Sequence, residues 1–350
     1  RAVEAGKAAY DAKARPWTRG IAEDFFAAPE ALRAAGARRF RADPDTVAII
    51  PAASYGLAVA ARNITLEAGQ KILVLEGQFP SNVYTWRALA ERDGAQMRTV
   101  GRAAGQSWTE ALLAAIRPDT GLVACPAVHW IDGGRIDLEA VGQAARAQGA
   151  ALVLDLTQSL GVMSFDAGAV DPDFAAAACY KWMLGPYALG FLYAAPRHHS
   201  GAPLEENWIN REGSEDFTRL IDYQEGYQPG ARRFDMGERS SHQLVPAGLA
   251  ALDVLDAIGA ERVEAHCAAM TAALAGAAAP FGLIDDTPER AGHYLSLGLP
   301  KDAPRDLAAQ LKARGVHVSQ RGPRLRVTPH VYTGDEDVSR FAAALKAVLA

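Results

Sequence analysis

Two residues carry the clearest chemistry in this chain: a lysine that opens a turn between two apolar stretches, and an aspartate 26 residues before it. The lysine is Lys181, in Ala177-Ala178-Cys179-Tyr180-Lys181-Trp182-Met183-Leu184-Gly185-Pro186, and a second apolar run ends at Tyr193. An ammonium held there does not easily reach water, and burial disfavours its charged form. A neutral amine is a nucleophile whose usual target is a carbonyl. Taken alone, Lys181 also reads as a strand-end lysine with its head in solvent. The aspartate, Asp155, closes Ala151-Leu152-Val153-Leu154, which reads as a buried parallel strand. Carboxyl ends of parallel strands are where α/β proteins bind ligands. A carboxylate there can keep a pyridine nitrogen protonated and turn the ring into an electron sink.

A strand followed by Asp-x-x-Gln, then a strand followed by Tyr-Lys-x-x-x-Gly-Pro, resembles the class V aminotransferase family of pyridoxal-phosphate enzymes. That family also includes cysteine desulfurases, kynureninase and isopenicillin N epimerase-like proteins. The resemblance implies the α/β fold type I of pyridoxal-phosphate-dependent transferases. Its large cofactor-binding domain, on a mostly parallel sheet, is expected over residues 30–240. A smaller α+β domain is expected over 1–29 and 241–350. The implied cofactor is pyridoxal 5'-phosphate, held by Lys181 as a Schiff base. An incoming amino acid displaces the lysine, whose freed amine then moves protons at the α-carbon. Asp155 would face the ring nitrogen. Gln158 would bond the ring's phenolic oxygen, where kynureninase has a histidine. Tyr180 matches the kynureninase-like Tyr-Lys pair, with its hydroxyl toward the phosphate.

The elements needed to position these groups can be read in order. Residues 1–40 have helical period, broken by Pro16 and Pro29. In relatives this region lies near the active-site mouth, so Trp17 or Arg19 is either a substrate contact or part of a surface loop. A strand ends at Pro51 and a helix starts near Ser54, a natural N-cap whose turn has free amides for an anion. Ala53-Ser54-Tyr55 resembles the family's Ala-Thr-Glu phosphate turn. After the strand Lys71–Glu76, Gln78-Phe79-Pro80 is similar to the kynureninase-like Asn-Phe-Pro, which gives Phe79 the role of stacking on the cofactor; plain core is its alternative. Ser107-Trp108-Thr109-Glu110 is a capping box. The strand Gly121–Pro126 leads to His129 and Trp130, and Asp137 caps another helix. Trp130 stands where relatives often place an asparagine toward the phenolic oxygen or the substrate. His129 reads as an acid–base group or as a packed structural histidine.

Alternating strands and helices indicate a parallel sheet covered on both faces. The pattern loosens over 196–235. Met236–Ser241 then resembles the family's Gly-Thr segment, which crosses the dimer interface, and assigns Ser240 to the partner's phosphate. Helices over 244–258 and 261–279 precede a strand over 294–299, and Asp335 opens the last helix. Leu325-Arg326-Val327-Thr328-Pro329-His330-Val331-Tyr332 resembles the family's Arg-x-Ser-Pro-His-x-Tyr. It marks Arg326, with its planar fork, for a substrate carboxylate. Arg321 and Arg324 stand close by.

Bulk properties set limits. The 350 residues are 49% apolar and 22% charged with a net charge of −5, as in an ordinary soluble globular protein. This gives no reason to expect nucleic-acid or membrane partners. Cys125, Cys179 and Cys267 show neither metal-ligand spacing nor a disulfide framework, which points to a reducing cytoplasm and no metal. No membrane span and no signal peptide are read. No Gly-x-Gly fingerprint supports a nicotinamide cofactor. The resemblance implies a homodimer acting on a small amino or keto acid. Transamination leads; epimerisation and C–S or C–C lyase chemistry share its parts. A persulfide-forming desulfurase is disfavoured because 316–324 has no cysteine. Kynureninase is disfavoured because its histidine at the Gln158 position and its aspartate after Phe-Pro are absent; the asparagine there is Asn82. A reading of another class is a sensor that binds the cofactor without catalysis.

Overall fold

A computed structural model describes residues 1–18 and 20–349. A seven-stranded sheet forms from β1 (Val47–Ile50), β2 (Lys71–Leu75), β3 (Gln96–Val100), β4 (Thr120–Pro126), β5 (Ala151–Asp155), β6 (Phe174–Ala178) and β7 (Gly190–Ala194). Their order is β1-β7-β6-β5-β4-β2-β3. Neighbours from β6 to β3 are parallel, and β7 runs antiparallel to both β6 and β1. Every strand except β7 therefore points the same way. The carboxyl ends of β1, β2, β4, β5 and β6 share one edge, where α/β sheets take their ligands.

These strands are apolar throughout because side chains alternate faces and both faces are covered. Val47, Ile49, Leu73, Leu75, Val123 and Cys125 enter one core cluster. Ala48, Ile50, Ile72, Val74, Leu122 and Ala124 enter the other. The exception is β3, an edge strand whose Gln96, Arg98 and Thr99 are exposed. It has no continuous apolar run, and the sequence pattern does not reveal it.

A second, antiparallel sheet holds β8 (Leu295–Gly298), β10 (Arg324–Val327) and β9 (Ser319–Arg321), in that order. Leu295, Leu297, Leu325 and Val327 enter a third core cluster. Arg326 pairs with Ser296, and Arg324 with Arg321, so these polar residues share the opposite face. Helices Leu244–Ile258 and Ala260–Ala278 and the final helix Asp335–Leu349 lie as the sequence predicts. Ser107 and Glu110 form a complete capping box, and Asp137 caps Leu138–Ala147. Pro29 does not break its helix. A π-helical turn, Ala22–Ala27, runs into Ala28–Phe40, with Pro29 in the first turn, where a missing N–H costs little.

The loosely patterned 196–235 stretch holds short 3-10 turns and one isolated antiparallel bridge, Arg211 to Tyr227. Buried charge anchors its end. Asp235 accepts from Arg33 Nη1 at 2.9 Å, from Arg239 Nη1 at 3.2 Å and from the Ile49 amide at 2.6 Å. Among the described residues no helix is long and apolar enough to cross a membrane.

Candidate active site

Five strand ends deliver their following residues to one cleft with about 640 Å³ of open space. After β1 the chain stays extended at Ala52 (φ −160°, ψ 154°) and then enters helix Ala53–Asn63. Ala52 is the N-cap; Ser54, read from sequence as the cap, lies inside the first turn. The Tyr55 and Gly56 amides close onto the Ala52 carbonyl at 3.1 and 3.3 Å. The Ala53 and Ser54 amides precede those bonds. An alanine cap offers no side-chain acceptor to the first turn, which leaves the helix start suited to an external anion. Ala53 and the exposed Ser54 line the cleft. Tyr55 does not: it packs against the core, where burial and Glu205 push its phenol up.

After β2, Gly77, Gln78 and Phe79 turn toward the cleft. Gln78 Nε2 donates to the Ala124 carbonyl at 3.1 Å, which pins this loop to β4. Phe79 stays 41% exposed and lines the cleft. Its ring meets Trp130 edge-on, centroids 5.5 Å apart at 86°. Trp130 Nε1 donates to the Gly77 carbonyl at 2.7 Å, and the Trp130 carbonyl accepts from the Tyr294 hydroxyl. The indole N–H is thus committed, and Trp130 presents the cleft with its ring.

His129 is buried and absent from the cleft lining. Its Nδ1 sits 3.2 Å from Asp132 and its Nε2 3.1 Å from the Glu76 carbonyl. Burial alone would raise the Asp132 carboxyl, yet the His129 ring, the Gly134 amide and Arg102 hold it well below the usual carboxylate range. Of its two readings, this geometry is that of the packed structural histidine.

The ends of β5 and β6 are tied together through Thr157. Its amide donates to Asp155 Oδ1 at 3.0 Å, and its hydroxyl accepts from the Ala178 amide at 3.2 Å. This sets Asp155 and Lys181 at a fixed separation across neighbouring strands. Burial raises the Asp155 carboxyl, against the Thr157 bonds and the Lys181 charge. Burial likewise lowers Lys181; Asp155 opposes this and Arg326 reinforces it. The amine is half-buried, and the neutral nucleophilic form gains as the chemistry requires. Lys181 Nζ stands 5.7 Å from the Phe79 ring centroid and 5.8 Å from that of Tyr180. Tyr180 in turn stacks on Tyr187 at 4.1 Å and 9°. Gln158 Oε1 accepts from Trp182 Nε1 at 3.3 Å, and its carbonyl lies 2.7 Å from His293 Nε2.

The lysine turn is strained. Leu184 and Ala188 are left-handed, at φ 57° and 59°. At Gly161 (φ +106°) an added Cβ would lie 2.7 Å from the Trp182 carbonyl oxygen. Gly161→Ala is therefore expected to destabilise the protein by about 1–3 kcal/mol and to push against the residue next to Lys181. A urea midpoint unchanged from wild type would refute this close packing.

Arg326 does not line the cleft but stands beside it, with its guanidinium 5.7 Å from the Trp130 centroid and 5.3 Å from that of Tyr294. Ser240 is buried elsewhere in the chain and is not in the lining. Trp17 is 79% exposed, and Arg19 lies outside the described residues. Cys125, Cys179 and Cys267 are buried and line none of the cleft. Thr157, Gln78 and Tyr187 have no assigned role in the sequence reading because their partners, Ala178, Ala124 and Tyr180, are fixed only by the fold. Asn82 had a weak signal after Phe-Pro. Its Oδ1 accepts from Trp86 Nε1 at 2.7 Å, while its Nδ2, in the cleft wall, is buried without a protein partner among the described residues.

The donor set fits pyridoxal phosphate. The first-turn amides and the Ser54 hydroxyl suit a phosphate, the exposed Phe79 ring in the lining suits a flat ring, Asp155 suits its nitrogen and Lys181 its aldehyde. The orphaned Asn82 donor marks a wall that awaits a polar ligand.

Comparison with known proteins agrees. The family model for class-V aminotransferases matches residues 8–343. The uncharacterized aminotransferase YcbU of Bacillus subtilis is 26% identical over 93% of this chain and 84% of its own. Isopenicillin N epimerase of Streptomyces clavuligerus is 27% identical over 89% and 82%. Among solved structures, the cystine C-S lyase C-DES, in complex with cysteine persulfide, has a TM-score of 0.87 over 98% of this chain and 93% of that one. At 21% identity that likeness concerns the fold, which is the expected α/β fold type I. The chain belongs to the class-V aminotransferase family, and pyridoxal phosphate is its cofactor.

Proposed function

We propose that the chain is an aminotransferase that acts on an amino acid through Lys181. The observation that carries this reading is the Lys181 amine 5.7 Å over the exposed Phe79 ring, in one cleft with Asp155 and the helix start at Ala53. Pyridoxal phosphate, when bound, supplies an electron sink for charge from the substrate's α-carbon. Lys181 would hold the cofactor covalently, and its amine would be placed to carry protons at that carbon. Asp155 keeps the ring nitrogen protonated. Phe79 confines the ring, a stack worth about 1 kcal/mol beyond burial. Ala53 and Ser54 form the phosphate turn, joined by the Tyr180 hydroxyl and by Ser240 of a second copy; Tyr55, which packs against the core, takes no part. Gln158 takes the phenolic oxygen through Nε2, since Trp182 occupies its Oε1. Trp130 walls the substrate side.

Arg326 takes the substrate carboxylate. Arg326→Gln is expected to raise the KM for carboxylate substrates about 10- to 100-fold while cofactor uptake stays intact. Equal loss of both, in a titration of cofactor absorbance, would remove Arg326 from this role.

The reading extends to a large domain over 30–240, a smaller one over 1–29 and 241–350, and a cytoplasmic homodimer. The exposed Ile221 and Tyr223, at 80% and 88%, supply apolar surface for a second copy. Epimerisation is the second reading, favoured by the match to isopenicillin N epimerase. Mass spectrometry and chiral analysis of products, after incubation with amino acids and a keto acid, separate the two. Amino transfer to the keto acid supports the first; inversion without transfer overturns it.

A further inference from the structure

The polar face of the three-stranded sheet carries three arginines, and only one is neutralised. Arg324 pairs with Asp286 at 2.7 Å. Arg321 lies opposite Arg324 in the β9–β10 register, so its side chain emerges on the same face as Arg326. The guanidinium carbons of Arg321 and Arg326 stand 5.8 and 5.7 Å from the Trp130 ring centroid. Among the described residues neither forms an ion pair, and Arg326 Nε is buried without a partner. The Arg321 head donates from Nη1 to the neighbouring Gln320 carbonyl at 2.8 Å.

The fold holds this pair in place. On the same face, the Ser296 hydroxyl donates to the Ile131 carbonyl at 2.9 Å, docking the small sheet onto the Trp130 loop. The indole face attracts each cation but does nothing for their mutual repulsion; burial lowers Arg326, Tyr294 opposes this and the Arg321 charge adds to it. A monoanion relieves one guanidinium. A small dianion relieves both, because both sit about one ring.

We propose that Arg321 is a second anion-binding group of this site and that the substrate is an amino acid with an acidic side chain. Arg326 takes the α-carboxylate, as in the functional reading on which this rests, and Arg321 takes the side-chain anion. Trp130 lies between as a flat apolar spacer for the methylenes.

The test is calorimetric titration of the cofactor-loaded protein with unreactive acids. Glutarate and adipate are compared with the monoacids of equal carbon number, pentanoate and hexanoate. In the wild type at least one diacid is expected to bind roughly fivefold or more tightly than its monoacid. Arg321→Gln should erase that preference, leave monoacid affinity unchanged and keep the cofactor absorbance. Arg326→Gln should weaken all four acids. Equal binding of diacids and monoacids by the wild type, or a preference that survives in Arg321→Gln, overturns the proposal alone. Unchanged affinities in Arg326→Gln overturn the carboxylate role beneath it, and the proposal with it.

Discussion

Lys181→Ala protein is expected to fold, to bind no cofactor covalently and to lose turnover by at least roughly 10⁴-fold. The lysine is a half-buried side chain at a turn, and its backbone does the structural work there. The Leu184 amide closes on the Lys181 carbonyl at 3.1 Å, and the Gly185 amide on the Cys179 carbonyl at 2.9 Å. Alanine keeps both bonds, so stability should stay within about 1 kcal/mol of wild type. What disappears is the single amine over Phe79. Borohydride reduction followed by peptide mass spectrometry reads the covalent link, and a thermal melt reads the fold. A labelled peptide from the variant, or retained turnover with intact absorbance, would place the essential amine elsewhere.

Asp155→Asn separates stability from catalysis. Turnover is expected to fall roughly 10²- to 10³-fold, the scale of losing one partner of a buried charge pair. Lys181 should still link to the cofactor. The cofactor-free chain should behave in the opposite sense. Burial raises the Asp155 carboxyl above its ordinary value of 3.8. A carboxyl raised on folding takes up a proton as the chain folds. Its contribution to stability is present at low pH and is lost as pH rises through the folded pKa. Above that window the native aspartate is a burden that asparagine avoids. The cofactor-free variant should be about 1–3 kcal/mol more stable than wild type at pH 7, with the gap closing toward acid pH. Thermal midpoints from pH 3 to pH 8 test this. A variant less stable at every pH would show that Asp155 serves the fold rather than the ligand.

The functional core was legible where one residue type ends one apolar run. Asp155, Phe79 and Lys181 each follow a strand buried on both faces, and the structure brings all three to a single cleft. Gln158, Tyr180 and Trp130 follow the same logic. Local pattern failed where one residue decides the geometry. Ser54 looks like a cap, yet the cap is Ala52, two residues earlier, and Ser54 falls inside the first turn. Edge strand β3 was hidden because an exposed strand needs no apolar run.

The sequence by itself determined that a nucleophilic lysine and an acid stand at carboxyl ends of buried strands, because burial forces continuous apolar stretches and their ends are visible. Only the tertiary structure decided what those groups face. Thr157 ties two strands, His129 is consumed by Asp132 and Glu76, and Arg321 joins Arg326 around Trp130. The Thr157–Ala178, His129–Glu76 and arginine–Trp130 contacts join residues far apart in the chain, and the last of these depends on a docking of two sheets that no local periodicity encodes.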